Sequence, residues 1–239
     1  MSATKIARTL RRVACIGLTA GAAALMIPGQ AGAATQIGWT GGTPPIGGVI
    51  YLHNSTITDD GGLRASSKIW TSTGSTVAPG IMGVRARLFK SGVICEVAGY
   101  QHNTAWISTH EAFTSAVCGT GSYNSHGFVR VYNGSGFNEY VTFPSNPIDY
   151  SGAASARSQR IEQESAADTS KTFTVGGQTF GPASQSPDEP DPDFVAAYSD
   201  EGEFGYVRSG DLANKSDSGT RLSVYDDTGA SEIGSLTVR

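Results

Sequence analysis

The chain has 239 residues, 38% of them hydrophobic and 16% charged, with a formal net charge of −4. That length holds one large or two small domains with real cores, and the composition is globular. The acidic balance, with no basic stripe interleaved with aromatics, argues against nucleic acid and against an anionic membrane surface as partners.

The first twelve residues carry Lys5, Arg8, Arg11 and Arg12 and no acidic residue, and a mostly apolar run from Val13 to Ile27 follows. A charged segment before an apolar one is the pattern of a secretory signal peptide. The run of about fifteen residues is short of the roughly 20 that span a bilayer. After Pro28, the small residues Ala31-Gly32-Ala33 suit a signal peptidase, so cleavage is expected near Ala33 and the protein is expected to be secreted. No later segment could cross a membrane as a helix. The leader holds four of the 17 Lys and Arg and none of the 21 Asp and Glu, so the mature charge becomes −8. Cys15 leaves with the leader, and it lies too early to be a lipid-acylated cysteine. Cys95 and Cys118 remain, and an even pair in an oxidising compartment reads as a disulfide.

From Val49 to Phe143 short β-rich runs alternate with Gly, Asn and Ser. The clearest is a hairpin of Gly83 to Phe89, a turn at Lys90-Ser91-Gly92, and Val93 to Tyr100. Val84, Ala86 and Leu88 fall on its inner face and Arg85 and Arg87 on its outer one, as in a half-buried strand. Further strands are expected at Val49 to Leu52, Ser66 to Ser72, Ala112 to Val117, Gly127 to Tyr132 and Glu139 to Phe143. Asn133-Gly134 supplies the tight turn between the last two. The expected fold is mainly β, with an Ig-like or jelly-roll-like β-sandwich over 34–150 whose disulfide pins two strands.

Residues 151–170 are rich in Ala, Ser, Gln and Glu and read as a linker with room for one short helix. A small β sheet or barrel unit is expected over 171–239. Thr172 to Val175 turns at Gly176-Gly177 into Gln178 to Phe180, Phe194 to Tyr198 pairs with Phe204 to Arg208, and Leu222 to Tyr225 pairs with Glu232 to Val238. The C-terminal part as a whole holds all the net negative charge: fifteen acidic and seven basic residues lie in 151–239, against six and six in 34–150.

The segments Pro192 to Ala197, Gly205 to Arg208, Asp211-Leu212, Val224 to Asp226 and Ile233 to Ser235 together resemble a C-terminal module of secreted Gram-positive proteins. The part around Pro79 to Leu88, Cys95, Tyr100, Cys118-Gly119 and Tyr132 to Gly134 is similar to uncharacterised secreted proteins of filamentous high-GC Gram-positive bacteria. These resemblances imply an exported protein and carry no catalytic residue. Gly202 to Leu212 also resembles the Gly-aromatic hairpin of bacterial SH3-like domains, which implies a cell-wall peptide as ligand.

No Gly-x-Ser-x-Gly element is present, and His53, His102, His110 and His126 read as surface or turn residues. His110-Glu111 begins like a zinc-protease helix but lacks the second histidine. Asp188, Glu189, Asp191 and Asp193 gather the hard oxygens that calcium takes, although the interleaved prolines suit an extended solvated loop. Trp70, Trp106, Tyr100, Tyr123 and Tyr132 read as core or as an aromatic platform. Trp106 and Tyr100, with His102, form the candidate ligand surface, the alternative for Trp106 being a buried plug. No metal or cofactor is implied. A non-catalytic protein binding an extracellular protein, peptide or cell-wall glycan is the leading expectation. A secreted hydrolase without a recognisable motif and a structural or matrix component of the envelope are the alternatives.

Overall fold

The computed structural model describes residues 34–152, 156–164, 171–184, 186, 189–215 and 217–239. The expected leader lies outside them. Strands β1 (Thr35–Ile37), β2 (Gly41–Gly42), β3 (Tyr51–Thr58) and β4 (Arg64–Thr71) open the fold. Burial alternates along the whole of β3, the period of a strand with one face on the core. Then come β5 (Met82–Arg85), β6 (Arg87–Lys90), β7 (Val93–Val97), β8 (Gln101–His102), β9 (Thr109–Phe113), β10 (Gly121–Ser125), β11 (Phe128–Tyr132), β12 (Phe137–Val141) and β13 (Ile148–Tyr150). Helix α1 (Ala156–Glu164) leads to β14 (Phe173–Val175), β15 (Gln178–Gly181), β16 (Phe194–Tyr198) and β17 (Phe204–Arg208). The short α2 (Ser209–Asn214), β18 (Arg221–Tyr225) and β19 (Glu232–Thr237) complete the chain. Gly176 and Gly177, at φ 59° and 86°, supply the turn between β14 and β15.

Among the described residues three sheets form. A five-stranded sheet runs β1-β3-β4-β9 with β2 also on β3, and a four-stranded sheet runs β12-β11-β5-β8. A ten-stranded sheet runs β13-β10-β6-β7-β16-β17-β18-β19, with β15 on β16 and β14 on β15. The five-stranded sheet packs on both of the others, as in a sandwich. Tyr51, Ile69 and Ala112 meet Met82, Val84 and Val129 of the four-stranded sheet, while Ile57 and Ala65 join Leu88, Tyr123 and Phe194 of the ten-stranded one. The opposite face of the large sheet packs Phe89, Ile94, Val195 and Val207 with Leu212 of α2. The mainly β, sandwich-like class read from the sequence is present.

Two expectations change. The run from Gly83 to Phe89 is two strands, not one: β5 pairs with β11, and β6 pairs with β10. The break falls at Ala86, where Gly127 crosses so closely that a Cβ on it would stand 2.1 Å from the Arg85 carbonyl oxygen. Both chains change sheets at this corner. Arg85 and Arg87, expected outside, are each 2% exposed, because α2 and the residues Ser184, Pro190 and Asp191 cover the face that period two assigned to solvent.

The division at 151–170 also gives way. Ala33–Arg239 is one compact unit, and β16 runs parallel to β7, pairing Ala197 with Ile94. Both strands are buried along their whole length, as expected where a parallel pair is covered on both faces. Helix α1 is docked too: Ile161 is in the core, and Arg157 donates to the Ser199 and Cys95 carbonyls at 3.0 and 3.1 Å. The Cys95–Cys118 disulfide forms, with Cα atoms 5.9 Å apart. Cys118 lies in the loop before β10 rather than on a strand.

Candidate functional site

The four-stranded sheet buries Met82, Val84, Val129 and Val131, so period two sends Gly83, Arg85, Phe128, Arg130 and Tyr132 to the other face. Register builds a row across it: His102 opposite Gly83, Gly83 opposite Arg130, Arg130 opposite Glu139. Gly83 is required in this row. A Cβ there would stand 2.8 Å from both Arg130 Cγ and His102 Nε2, and the two side chains close over the bare backbone.

The Arg130 guanidinium carbon lies 3.9 Å from the Tyr100 ring centroid and 4.5 Å from that of Phe137. Its Nε donates to His102 Nε2 at 2.9 Å, which makes that nitrogen the acceptor and the imidazole neutral. Burial, then Arg130 and His110, hold the His102 pKa below its ordinary value. The Tyr100 hydroxyl donates to Glu139 Oε2 at 2.5 Å, and burial with the Glu139 charge raises its pKa. Phe137 continues the row to Tyr132, ring to ring at 5.5 Å. Phe137 and Tyr132 are 41% and 39% exposed, so the row ends in two open rings.

In the other direction the face runs into a cleft of about 610 Å³ bordered by Glu139, Phe128, Arg87, Asp191, Ser209 and Leu212. Arg87 forms its floor. Its guanidinium stacks 4.4 Å from the Phe128 centroid, and its NH2 group sits 2.9 Å from His126 Nδ1. An arginine can only donate, so Nδ1 accepts and the His126 proton is on Nε2. Burial and the neighbouring Arg87 charge push the His126 pKa well below 6.5. Burial lowers the Arg87 pKa to about 10, against the pull of Asp191, whose Oδ2 is 3.6 Å from NH1. Arg85 donates to the Leu212 carbonyl at 2.5 Å and so ties α2 to the sheet.

Of the residues singled out from sequence, Tyr100 and His102 come together, with rings 6.3 Å apart. Trp106 is 67% exposed and is not a buried plug, but it makes no ring contact with that pair. Tyr123 is core, its hydroxyl donating to the Gly119 carbonyl. His53 and His126 are buried, contrary to the expectation of surface histidines: Gly41 lies against the His53 ring, and Phe89 stacks on His126 at 4.2 Å. His110 is on β9, a strand.

The acidic quartet divides. Asp191 faces Arg87 and accepts from the Ser184 amide, Asp193 accepts from the Thr179 amide and hydroxyl, and Asp188 lies outside the described residues. Glu189 borders the cleft. Arg130, Phe137 and Glu139 were missed, although the Asn133-Gly134 turn carries the signal. Pairing outward from that turn sets Tyr132 opposite Phe137 and Arg130 opposite Glu139. The sequence matches no family model and no curated protein, and the fold matches no solved structure.

Proposed function

We propose that this is an exported, non-catalytic binding protein whose outer face on β8, β5, β11 and β12 holds an extracellular glycan of the cell envelope. The leader pattern and the disulfide support export. The observation that carries the binding reading is the Arg130 guanidinium held between the Tyr100 and Phe137 rings, next to the open ring of Tyr132. A sugar ring has an apolar C–H face that lies on an aromatic ring, while its hydroxyls can bond to the edges of a guanidinium, an imidazole and a carboxylate. Here those groups are already fixed by stacking and hydrogen bonds, so binding costs little side-chain entropy.

The test is retention of the purified protein on wall polysaccharide, on wall peptide and on an unrelated polymer. The expected result is saturable binding to the polysaccharide without turnover. It should fall by about tenfold or more in the double substitution Tyr132→Ala, Phe137→Ala, as when aromatic anchors are removed from an interface. Turnover of the glycan, capture by peptide alone, or an unchanged affinity in the double variant would each refute the reading.

A further inference from the structure

A separate concavity of about 390 Å³ lies in the C-terminal part, bordered by Phe173, Phe204, Gly205, Tyr206, Asp226 and Asp227. Its walls are aromatic. Tyr206 is flanked by Phe173, ring centroids 5.8 Å apart at 83°, and by Phe204 at 5.3 Å and 71°. Gly205 leaves the backbone bare, since a Cβ there would stand 2.4 Å from the Tyr225 carbonyl oxygen. Among the described residues two carboxylates border the pocket and no Lys or Arg does. Asp226 Oδ1 accepts from the Thr228 amide and hydroxyl at 3.1 and 2.7 Å, which holds its pKa below the ordinary range and keeps it charged.

Tyr206 itself offers a ligand a hydrogen-bonding group at the pocket. It is 7% exposed, and its hydroxyl makes no hydrogen bond among the described residues. The ring is buried while the hydroxyl is not sealed off, which leaves its oxygen open to a bound donor. The same aromatic cluster already receives a cation at its other end, where the Arg208 guanidinium stands 4.9 Å from the Tyr225 centroid and 5.3 Å from that of Phe194. The excess of acidic over basic residues in 151–239 draws cations toward this half of the chain.

We propose that this pocket binds the primary ammonium group of an alkylamine-type chain, as found at the end of a lysine side chain or a diamine. The rings take the charge through their faces and the methylene stem through apolar contact. Asp227 and the Tyr206 hydroxyl accept the N–H bonds, and a quaternary ammonium, having none, would satisfy neither.

The test is a nuclear magnetic resonance titration of the purified protein with n-butylammonium chloride. Tetramethylammonium chloride and sodium chloride at equal ionic strength are the controls. Saturable shifts confined to Phe173, Phe204, Tyr206 and their neighbours are expected with butylammonium, and affinity for tetramethylammonium should be lower by about fivefold or more. Asp227 is exposed, so Asp227→Asn keeps the fold and should weaken butylammonium binding by a similar factor; Tyr206→Phe should weaken it too. Shifts matching those in sodium chloride, equal affinity for the two ammonium ions, or undiminished binding by Asp227→Asn would overturn the proposal. The pocket shares no residue with the glycan face, so its failure leaves that reading standing.

Discussion

Arg87 and Arg130 occupy the same local pattern, Ala-Arg-Leu and Val-Arg-Val, with the flanking residues on the core and the arginine on the opposite side of its strand. In the ten-stranded sheet that opposite side is covered by a second layer, and Arg87 is sealed against Phe128, His126 and Asp191. In the four-stranded sheet that side is covered at Arg85 but open around Arg130, which lies across rings that solvent reaches. The strand alone therefore does not decide an arginine's role. What decides it is chain about a hundred residues further on, which lies over Arg87 and the neighbouring Arg85 and not over Arg130.

Substituting each arginine measures this difference directly. Arg87→Ala leaves Asp191 and His126 Nδ1 without their partner in a desolvated place and should cost about 3 to 5 kcal/mol, the range for breaking a buried charged pair. Arg130→Ala removes a half-exposed cation from two rings and should cost about 1 kcal/mol or less. Urea unfolding of the two variants reads both. Equal losses would mean that the covering layer contributes nothing at Arg87.

The disulfide sharpens the same comparison, since Cys95 lies on β7, next to β16 in the covered sheet. Replacing Cys95 and Cys118 by Ser opens a link across 23 positions and should cost about 3 kcal/mol. Because β7 and β16 share one sheet, the loss should fall on the whole unit, with one melting transition shifted in both halves. Two transitions, with only the N-terminal one displaced, would restore a boundary near 151–170.

Much of this architecture is legible in the sequence where the signal is local. The hairpin β16–β17 falls at Phe194–Tyr198 and Phe204–Arg208, where alternating aromatics meet a Gly turn, and β11–β12 follows from Asn133-Gly134. Strand β9 lies three residues earlier than expected, at Thr109–Phe113, because its polar residues are set by pairing with β4 and not by their own pattern. The union of the two halves passes through a parallel pairing between strands about a hundred residues apart, which no turn announces. Its trace is composition: Val93–Val97 and Phe194–Tyr198 are nearly unbroken runs, as strands covered on both faces require, rather than alternating ones. Of the candidate site, Tyr100 and His102 could be named, but Gly83, the residue that lets His102 reach Arg130, carries no chemistry of its own to attract attention.

Gly83 gives the smallest expected change in stability and the sharpest test of the open face. Its φ is ordinary, so an alanine is not strained by backbone conformation; its methyl meets Arg130 Cγ and His102 Nε2 at 2.8 Å. Those two side chains must part, and their 2.9 Å hydrogen bond breaks. Alanine is a better strand residue than glycine, which offsets part of the overpacking, so Gly83→Ala should shift unfolding by only about 1 kcal/mol. Glycan binding should fall more steeply, by about tenfold, because the guanidinium loses the position that stacking and the imidazole gave it. Gly136→Ala is the matched control, since a Cβ there meets nothing within 4 Å and its φ is not positive. If the two variants bind alike, the preorganised row across β8, β5 and β11 is not what holds the partner. If Gly83→Ala alone loses binding while its unfolding stays within the stated margin, the face acts through the fixed geometry of Arg130 and not through its charge alone.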